Sequence, residues 1–240
     1  MDKYCDTSKV VILPTTKEVV YKMITKKHYA KKWTASTNIY GVYWDEGDSP
    51  FFDDRKLKLI GAVLYGHPSG FRVVKSVSED LEIGEVLELK RLWIADGYGK
   101  NIESYVVSKT LKMLRKDDSN VKVIISFADP VQNHQGTIYQ ATNWIYQGRK
   151  VSRGDFYEYK YPNTDVWLSD RAIGAQLGSN ALDNVLKKIP DMEYRVKMRK
   201  HRYLYFLCNK QEKKKLMKSL KHPIKPYGFT CDCEGMCECE

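Results

Sequence analysis

Residues 121–148 read VKVIISFADPVQNHQGTIYQATNWIYQG. The opening VKVIISF is a nearly continuous apolar, β-branched run. Such a run marks a strand buried on both faces in the middle of a sheet. Pro130 stops it. A turn follows that carries Gln132, Asn133, His134 and Gln135 and closes at Gly136. The stretch holding Tyr139, Gln140, Trp144 and Tyr146 then reads as a helix ended by Gly148. A buried strand that runs into a turn and a helix belongs to an α/β domain. In such domains, sites gather where strand ends meet helix starts.

The flanking sequence extends this pattern in both directions. Residues 9–13 (KVVIL) form a short strand closed by Pro14. Thr15 and Thr16 cap a helix with Glu18 in its first turn, running to about Trp33. Residues 37–44 are a strand, and the acidic stretch 45–54 (DEGDSPFFDD) is a loop. Residues 57–66 are strongly apolar and 85–94 alternate, so both read as strands. A turn at 95–101 enters a helix at about 102–115. Residues 155–161 and 201–207 add strands, and 169–188 is helical with Leu177-Gly178-Ser179 at its centre. The predicted fold is α/β: a single mixed central sheet flanked by helices, over residues 1–209. Residues 210–240 read as an appended tail, first basic and then rich in Cys and acid.

The chain has 240 residues, 42% hydrophobic and 29% charged, a globular composition. Its net charge is +10 and its pI about 9.1, which favours an anionic partner, nucleic acid foremost. The alternative is a basic surface with no dedicated partner. There is no apolar run of ~18 residues, and the N-terminus MDKYCDTSK lacks a signal peptide's apolar region. No membrane partner and a cytoplasmic location are therefore expected. Cys231, Cys233, Cys237 and Cys239 crowd the tail in a C-x-C spacing unlike that of zinc fingers. A redox-sensitive tail suits them better than a zinc site.

Three stretches carry candidate chemistry. In the first, Asn133, Gln140 and their neighbours present donor and acceptor together, as an adenine edge requires, and aromatic rings can stack a base. Ser126 and Asp129 stand at the strand end, where Asp129 can accept a proton or orient an amine. Against this, Trp144 at helical spacing suits a core position, and Asp-Pro is an ordinary turn. The second stretch is RLWIADGYGKNIES at 91–104. Its glycines precede a helix start and can expose N–H groups to an anion, with Asn101 as cap and Lys100 adding charge. It partly resembles the pyrophosphate loop of acetyltransferases but lacks the leading Gln or Arg. A plain glycine turn is the alternative. The third, KHYAKKW at 27–33, places His28 and Tyr29 on the first helix. Residues 171–188, including Arg171, resemble a helix-turn-helix about one residue short in its turn, with Ala175, Leu177, Gly178 and Val185 as packing positions. A helical pair covering the sheet is the alternative.

Taken together, HY at 28–29, LIGAVLYG at 59–66, LKRLW at 89–93, KNIES at 100–104, the 126–148 element, SDR at 169–171, KHRYLYFL at 200–207 and PIKPY at 223–227 resemble one family. They are similar to the phage Mom-type adenine-modification proteins, diverged members of the GNAT acyltransferase superfamily. The resemblance spans about 9–227 and leaves out the Cys-rich end. It implies a GNAT-like fold and a phage-encoded transferase working in the bacterial host. The reaction implied converts adenine in double-stranded DNA to N6-carbamoylmethyladenine, which shields the genome from restriction. It also implies roles for His28, Tyr29, Asp129 and Tyr139 in catalysis and for Arg91 and Ser104 in donor binding. To these the residues themselves add Lys100 and Asn101 for the donor, and Ser126, Asn133, His134, Gln140 and Arg171 for the substrate. Some family readings invoke iron near the Tyr and Asp positions; no His/Asp spacing here assigns a metal ligand. Acetyl-CoA lacks the nitrogen that carbamoylmethyl contains, whereas activated glycine, such as glycyl-tRNA, supplies every atom. With that donor, tRNA becomes a second partner. A small-amine acyltransferase using acetyl-CoA and a non-catalytic DNA-binding protein are the other readings.

Overall fold

Period-two and continuous apolar runs become strands, and their order along the chain sets the architecture. The computed structural model describes residues 3–49, 52–132, 134–149, 157–196 and 199–227. In chain order the elements begin with β1 (Val10–Pro14), α1 (Lys17–Lys27), β2 (Asn38–Ser49), β3 (Phe52–Gly66), α2 (Phe71–Lys75) and β4 (Val86–Ile94). Next come α3 (Ile102–Asp117), β5 (Val123–Ala128), α4 (Thr137–Ala141), β6 (Ile145–Arg149), β7 (Tyr157–Lys160) and β8 (Leu168–Ser169). Then α5 (Asp170–Leu177), α6 (Leu182–Lys188), β9 (Glu193–Val196), β10 (His201–Phe206) and α7 (Lys210–Lys218) complete the described chain.

Seven strands form one sheet in the order β1-β2-β3-β4-β5-β10-β6. Among the described strands of this sheet only β4 and β5 run parallel, joined by the α3 crossover that a parallel pair requires. The sheet is therefore mixed and mostly antiparallel. Val123, Ile124 and Ile125 of β5 are fully buried, as the apolar run predicts. Successive β5 side chains alternate between faces. Ile124 packs with Val106, Val107 and Leu111 of α3. Val123 and Ile125 pack on the other face with Val74 of α2 and Leu216 of α7. On that same side, Val20 and Ile24 of α1 cover Ala62 and Leu64 of β3.

Several expectations are corrected. The first helix stops at Lys27, not Trp33: His28 is extended and Lys31 has φ 45°. The acidic stretch belongs to a hairpin, with β2 reaching Ser49 and β3 starting at Phe52. The segment 139–148 is not one helix. It ends at Ala141, Asn143 adopts a left-handed φ of 61°, and β6 then pairs with β10. Trp144 is fully buried, the core position its spacing suits.

Strands β8, β7 and β9 form a second, three-stranded sheet. Helices α5 and α6, separated by Gly178 at φ 74°, cover it through Ile173 and Val185 against Tyr159 and Met192. Val185 is a packing position as expected, but Ala175 is exposed. The basic stretch after Lys210 is not loose. Leu216 of α7 is buried against the main sheet, and the Lys225 N–H donates to the Tyr146 carbonyl of β6 at 2.9 Å. Gln147 Nε2 donates to the His222 carbonyl at 2.8 Å beside it. The four clustered cysteines lie outside the described residues. Among the described residues, no helix is long and apolar enough to cross a membrane.

Candidate active site

Parallel pairing between β4 and β5 ends after Glu88↔Ile125, and the two strands then part. A register shift against β3, where Leu64 faces Arg91 but Tyr65 faces Leu89, marks an extra residue in β4 at the same level. The gap holds a cavity of about 240 Å³. It is lined by Arg91 of β4, by His28 and Tyr29 beyond α1, and by His134 and Tyr139 from the β5–α4 segment. Five of the expected residues therefore converge.

His28 is 4% exposed. Its Nδ1 accepts the Ala30 N–H at 3.1 Å, so the neutral ring carries its proton on Nε2. Burial pushes its pKa down to about 4, and the nearby Arg91 and His134 act in the same direction. At neutral pH His28 is a neutral N–H donor rather than a base. The Tyr29 ring lies 4.3 Å from the His28 ring and meets His134 nearly edge-on at 5.4 Å.

Arg91 Nη1 donates to the Lys90 carbonyl at 2.6 Å. Its Nε is buried and has no hydrogen-bond partner among the described residues. A buried, unpaired donor at a cavity wall is available to a ligand. Tyr139 is wedged between Trp144 and Tyr203, with ring centroids 5.0 and 4.9 Å away. Burial pushes its hydroxyl up to about 12, so it stays a phenol. Ser126 Oγ donates to the Leu89 carbonyl at 3.1 Å and lies 2.8 Å from the Tyr139 hydroxyl. A serine has one hydroxyl hydrogen and a carbonyl only accepts, so Tyr139 supplies the proton of the second bond.

Other candidates serve the frame or stand elsewhere. The Asp129 carboxylate lies 2.9 Å from Lys200 Nζ and accepts the Val131 N–H at 3.2 Å. The Asp129 carbonyl accepts the N–H groups of Gln132 and His134, both at 3.1 Å. Asp129 thus folds the turn that presents His134 and does not itself line the cavity. Gln140 Nε2 donates to the Tyr203 hydroxyl at 3.2 Å, and that hydroxyl donates to the Gln135 carbonyl at 2.8 Å. Arg171 sits on α5 over the small sheet and is not in the cavity wall. Asn133 lies outside the described residues.

Lys100 and Asn101 line a different cleft of about 920 Å³, between the 95–103 loop and the N-terminal segment. The Lys100 N–H donates to the Lys3 carbonyl and the Lys100 carbonyl accepts from Cys5, each at 3.0 Å. A Cβ at Gly99 would stand 2.6 Å from the Cys5 backbone. Asn101 is left-handed with φ 69° and makes no side-chain cap, while Ser104 Oγ donates to the Asn101 carbonyl at 2.9 Å. The loop is strapped by the chain's own N-terminal segment, which takes the Lys100 N–H. An iron site is not assigned. Among the described residues no three His, Cys, Asp or Glu side chains converge, and Asp129 and His28 Nδ1 are already engaged.

Sequence reading missed Glu88, the last residue of the parallel pairing. Burial raises its carboxyl pKa against the opposing pull of Lys90, Arg91 and Lys200. Its signal was a carboxylate between Leu87 and Leu89 in an apolar strand. Lys200, the Asp129 partner, was likewise missed as a site residue.

A sequence model of the Mom protein family matches residues 9–228. Methylcarbamoylase Mom of Escherichia phage Mu is 26% identical over 206 residues, spanning 85% of this chain and 78% of that one. Among solved structures, a spermidine N-acetyltransferase from Vibrio cholerae in complex with CoA and spermine is similar, with TM-score 0.45 and 8% identity over 83% of this chain and 96% of that one. Arabidopsis thaliana NAA60 in complex with acetyl-CoA has TM-score 0.46 and 9% identity over 82% of this chain and 98% of that one. The family match extends over the whole main sheet and the small one, and this chain is a transferase that belongs to the Mom protein family.

Proposed function

We propose that this protein modifies adenine in DNA to N6-carbamoylmethyladenine by acyl transfer in the cavity between β4 and β5. The observation that carries the reading is the convergence there of a neutral His28 N–H donor and Arg91 with an unspent Nε, beside the Tyr139 hydroxyl. Such a set suits a carbonyl that gains negative charge as an amine attacks it. Among the described residues no Asp or Glu lines the cavity. The family membership and the net charge of +10 support a nucleic-acid substrate.

The product sets the donor. Acetyl transfer would leave the base without the second nitrogen of a carbamoylmethyl group, whereas a glycyl ester such as glycyl-tRNA supplies it. Adenine N6 attacks the ester carbonyl, whose oxygen takes hydrogen bonds from His28 Nε2 and Arg91. The C–O ester bond breaks. Tyr139 gives up its hydrogen bond to Ser126, passes that proton to the leaving ribose oxygen and regains one from N6, as a proton shuttle. The free amine of N6-glycyladenine then attacks C6 through a five-membered ring. The C6–N6 bond breaks, and the original N6 leaves as the carboxamide nitrogen. This second step is an isomerisation and needs no further reactant. Asp129, through Lys200 and the turn, positions His134.

The test is incubation of the protein with duplex DNA and tRNA charged with glycine labelled in carbon and nitrogen. The expected product is a modified adenine carrying the whole label. A modified base without label removes the glycyl donor, and no modified base removes the reading itself.

A further inference from the structure

We infer that the adenine enters this cavity as an extrahelical base, everted from the duplex, and that Tyr29 is the platform on which it stacks. The inference rests on the proposed adenine chemistry and concerns how the same site receives its substrate.

The reacting groups lie at depth. His28 is 4% exposed, and the Nε of Arg91 is buried. The cavity of about 240 Å³ suits a purine with a short acyl group and not a stacked base pair. An adenine paired within a duplex cannot bring N6 to groups sunk between two strands while its neighbours stay stacked. Enzymes that act on a base in such pockets rotate the nucleotide out of the helix.

Tyr29 is built for this at the rim. It is 43% exposed, although its ring lies against His28. A tight turn holds it there: the His28 carbonyl accepts the Lys31 N–H at 2.9 Å while the His28 ring accepts the Ala30 N–H. His134, itself exposed, stands nearly perpendicular to the Tyr29 ring at 79° and flanks it. An aromatic ring that is held against a neighbour and still 43% exposed offers π surface on which any base can stack. Lys31 and Lys32 follow directly and are exposed, placed to meet the phosphates beside the everted nucleotide.

The experiment uses the full chain and a duplex in which the modified adenine has been mapped. Permanganate oxidation of the thymine opposite reports its loss of pairing. Affinity is compared between that duplex and one with an abasic site opposite the target, which lowers the cost of eversion. Wild type should make the opposing thymine reactive and bind the abasic duplex at least about tenfold more tightly, since eversion costs a few kcal/mol. Tyr29→Phe should keep both signatures. Tyr29→Ala, with its fold checked by thermal unfolding, should lose both while still binding duplex in a salt-dependent way. A wild-type protein that modifies this duplex yet leaves the thymine protected overturns eversion and leaves the adenine chemistry standing. Retention of both signatures by Tyr29→Ala overturns the platform. Failure to modify the duplex at all overturns the function on which the inference rests.

Discussion

The hydroxyls of Tyr139 and Ser126 lie 2.8 Å apart, and Ser126 passes the link on to the Leu89 carbonyl across the gap between β5 and β4. One serine thus ties the two diverging strands and anchors the phenol at the cavity. Tyr139→Phe keeps the ring between Trp144 and Tyr203 and removes the hydroxyl. Its kcat should fall by about 10²–10⁴-fold, the range for a positioned general acid, while stability falls only by about 0.5–1.5 kcal/mol, the worth of the hydrogen bond to Ser126. Single-turnover kinetics against thermal unfolding separates the two effects.

Ser126→Ala should act differently. It leaves the Tyr139 hydroxyl and the Leu89 carbonyl without their shared partner in a buried setting. The expected loss is about 1–3 kcal/mol of stability, the cost of unsatisfied buried groups, together with reduced activity. Denaturant unfolding measures the first and the labelled-donor assay the second.

His28 gives a pH prediction with a definite sign. Its folded-state pKa of about 4 lies below its ordinary 6.5, because burial disfavours the charged ring. Between those values the unfolded chain binds more protons than the folded one. The stability contributed by neutral His28 is therefore complete above about 6.5 and is lost as pH falls towards about 4. In His28→Asn, whose side-chain oxygen can still accept the Ala30 N–H, melting temperature should fall less over that window. For the wild type, the acid limb of activity that reports His28 should lie near 4 rather than 6.5. Imidazole titration by NMR checks the assignment.

Gly136 starts α4 at φ +82°, and a Cβ there would stand 2.3 Å from the Tyr203 ring. Gly136→Ala combines a left-handed backbone with a clash against an aromatic core residue. It should cost about 1–3 kcal/mol or more and displace the segment carrying His134 and Tyr139. Chemical denaturation and activity should fall together.

The N-terminal strap predicts a negative result with coenzyme A. Because Lys100 pairs with Lys3 and Cys5, coenzyme A should leave the melting temperature of the full chain unchanged. Gly99→Ala should lower it by forcing Cys5 away. A clear upward shift with coenzyme A would contradict the strapped loop.

Much of the fold is legible in sequence because strand signals here are strong. The apolar runs at 57–66 and 121–127, the alternation at 85–94 and the helix after Asn101 all correspond to elements of the structure. Failures came where one residue decides the backbone. Asn143 takes the left-handed conformation and turns a predicted helix into β6, whose pairing with distant β10 no local pattern reveals. The pairing of β2 with β3 at Asp45, Asp48 and Ser49 overrides a loop-like, acidic composition. For the site, the convergence of His28, Tyr29, Arg91, His134 and Tyr139 could not be read from spacing, since these residues come from three separate segments, the outer two more than 100 positions apart. The pairing of Asp129 with Lys200 was hidden for the same reason, since the two lie far apart in sequence.

The central claim, adenine modification by this chain, is tested most directly by mass spectrometry of nucleosides from plasmid DNA of cells expressing it. Wild type should yield deoxyadenosine heavier by one carbamoylmethyl group, and Tyr139→Phe should yield little of it. Unmodified deoxyadenosine in cells that hold folded wild-type protein would contradict the account.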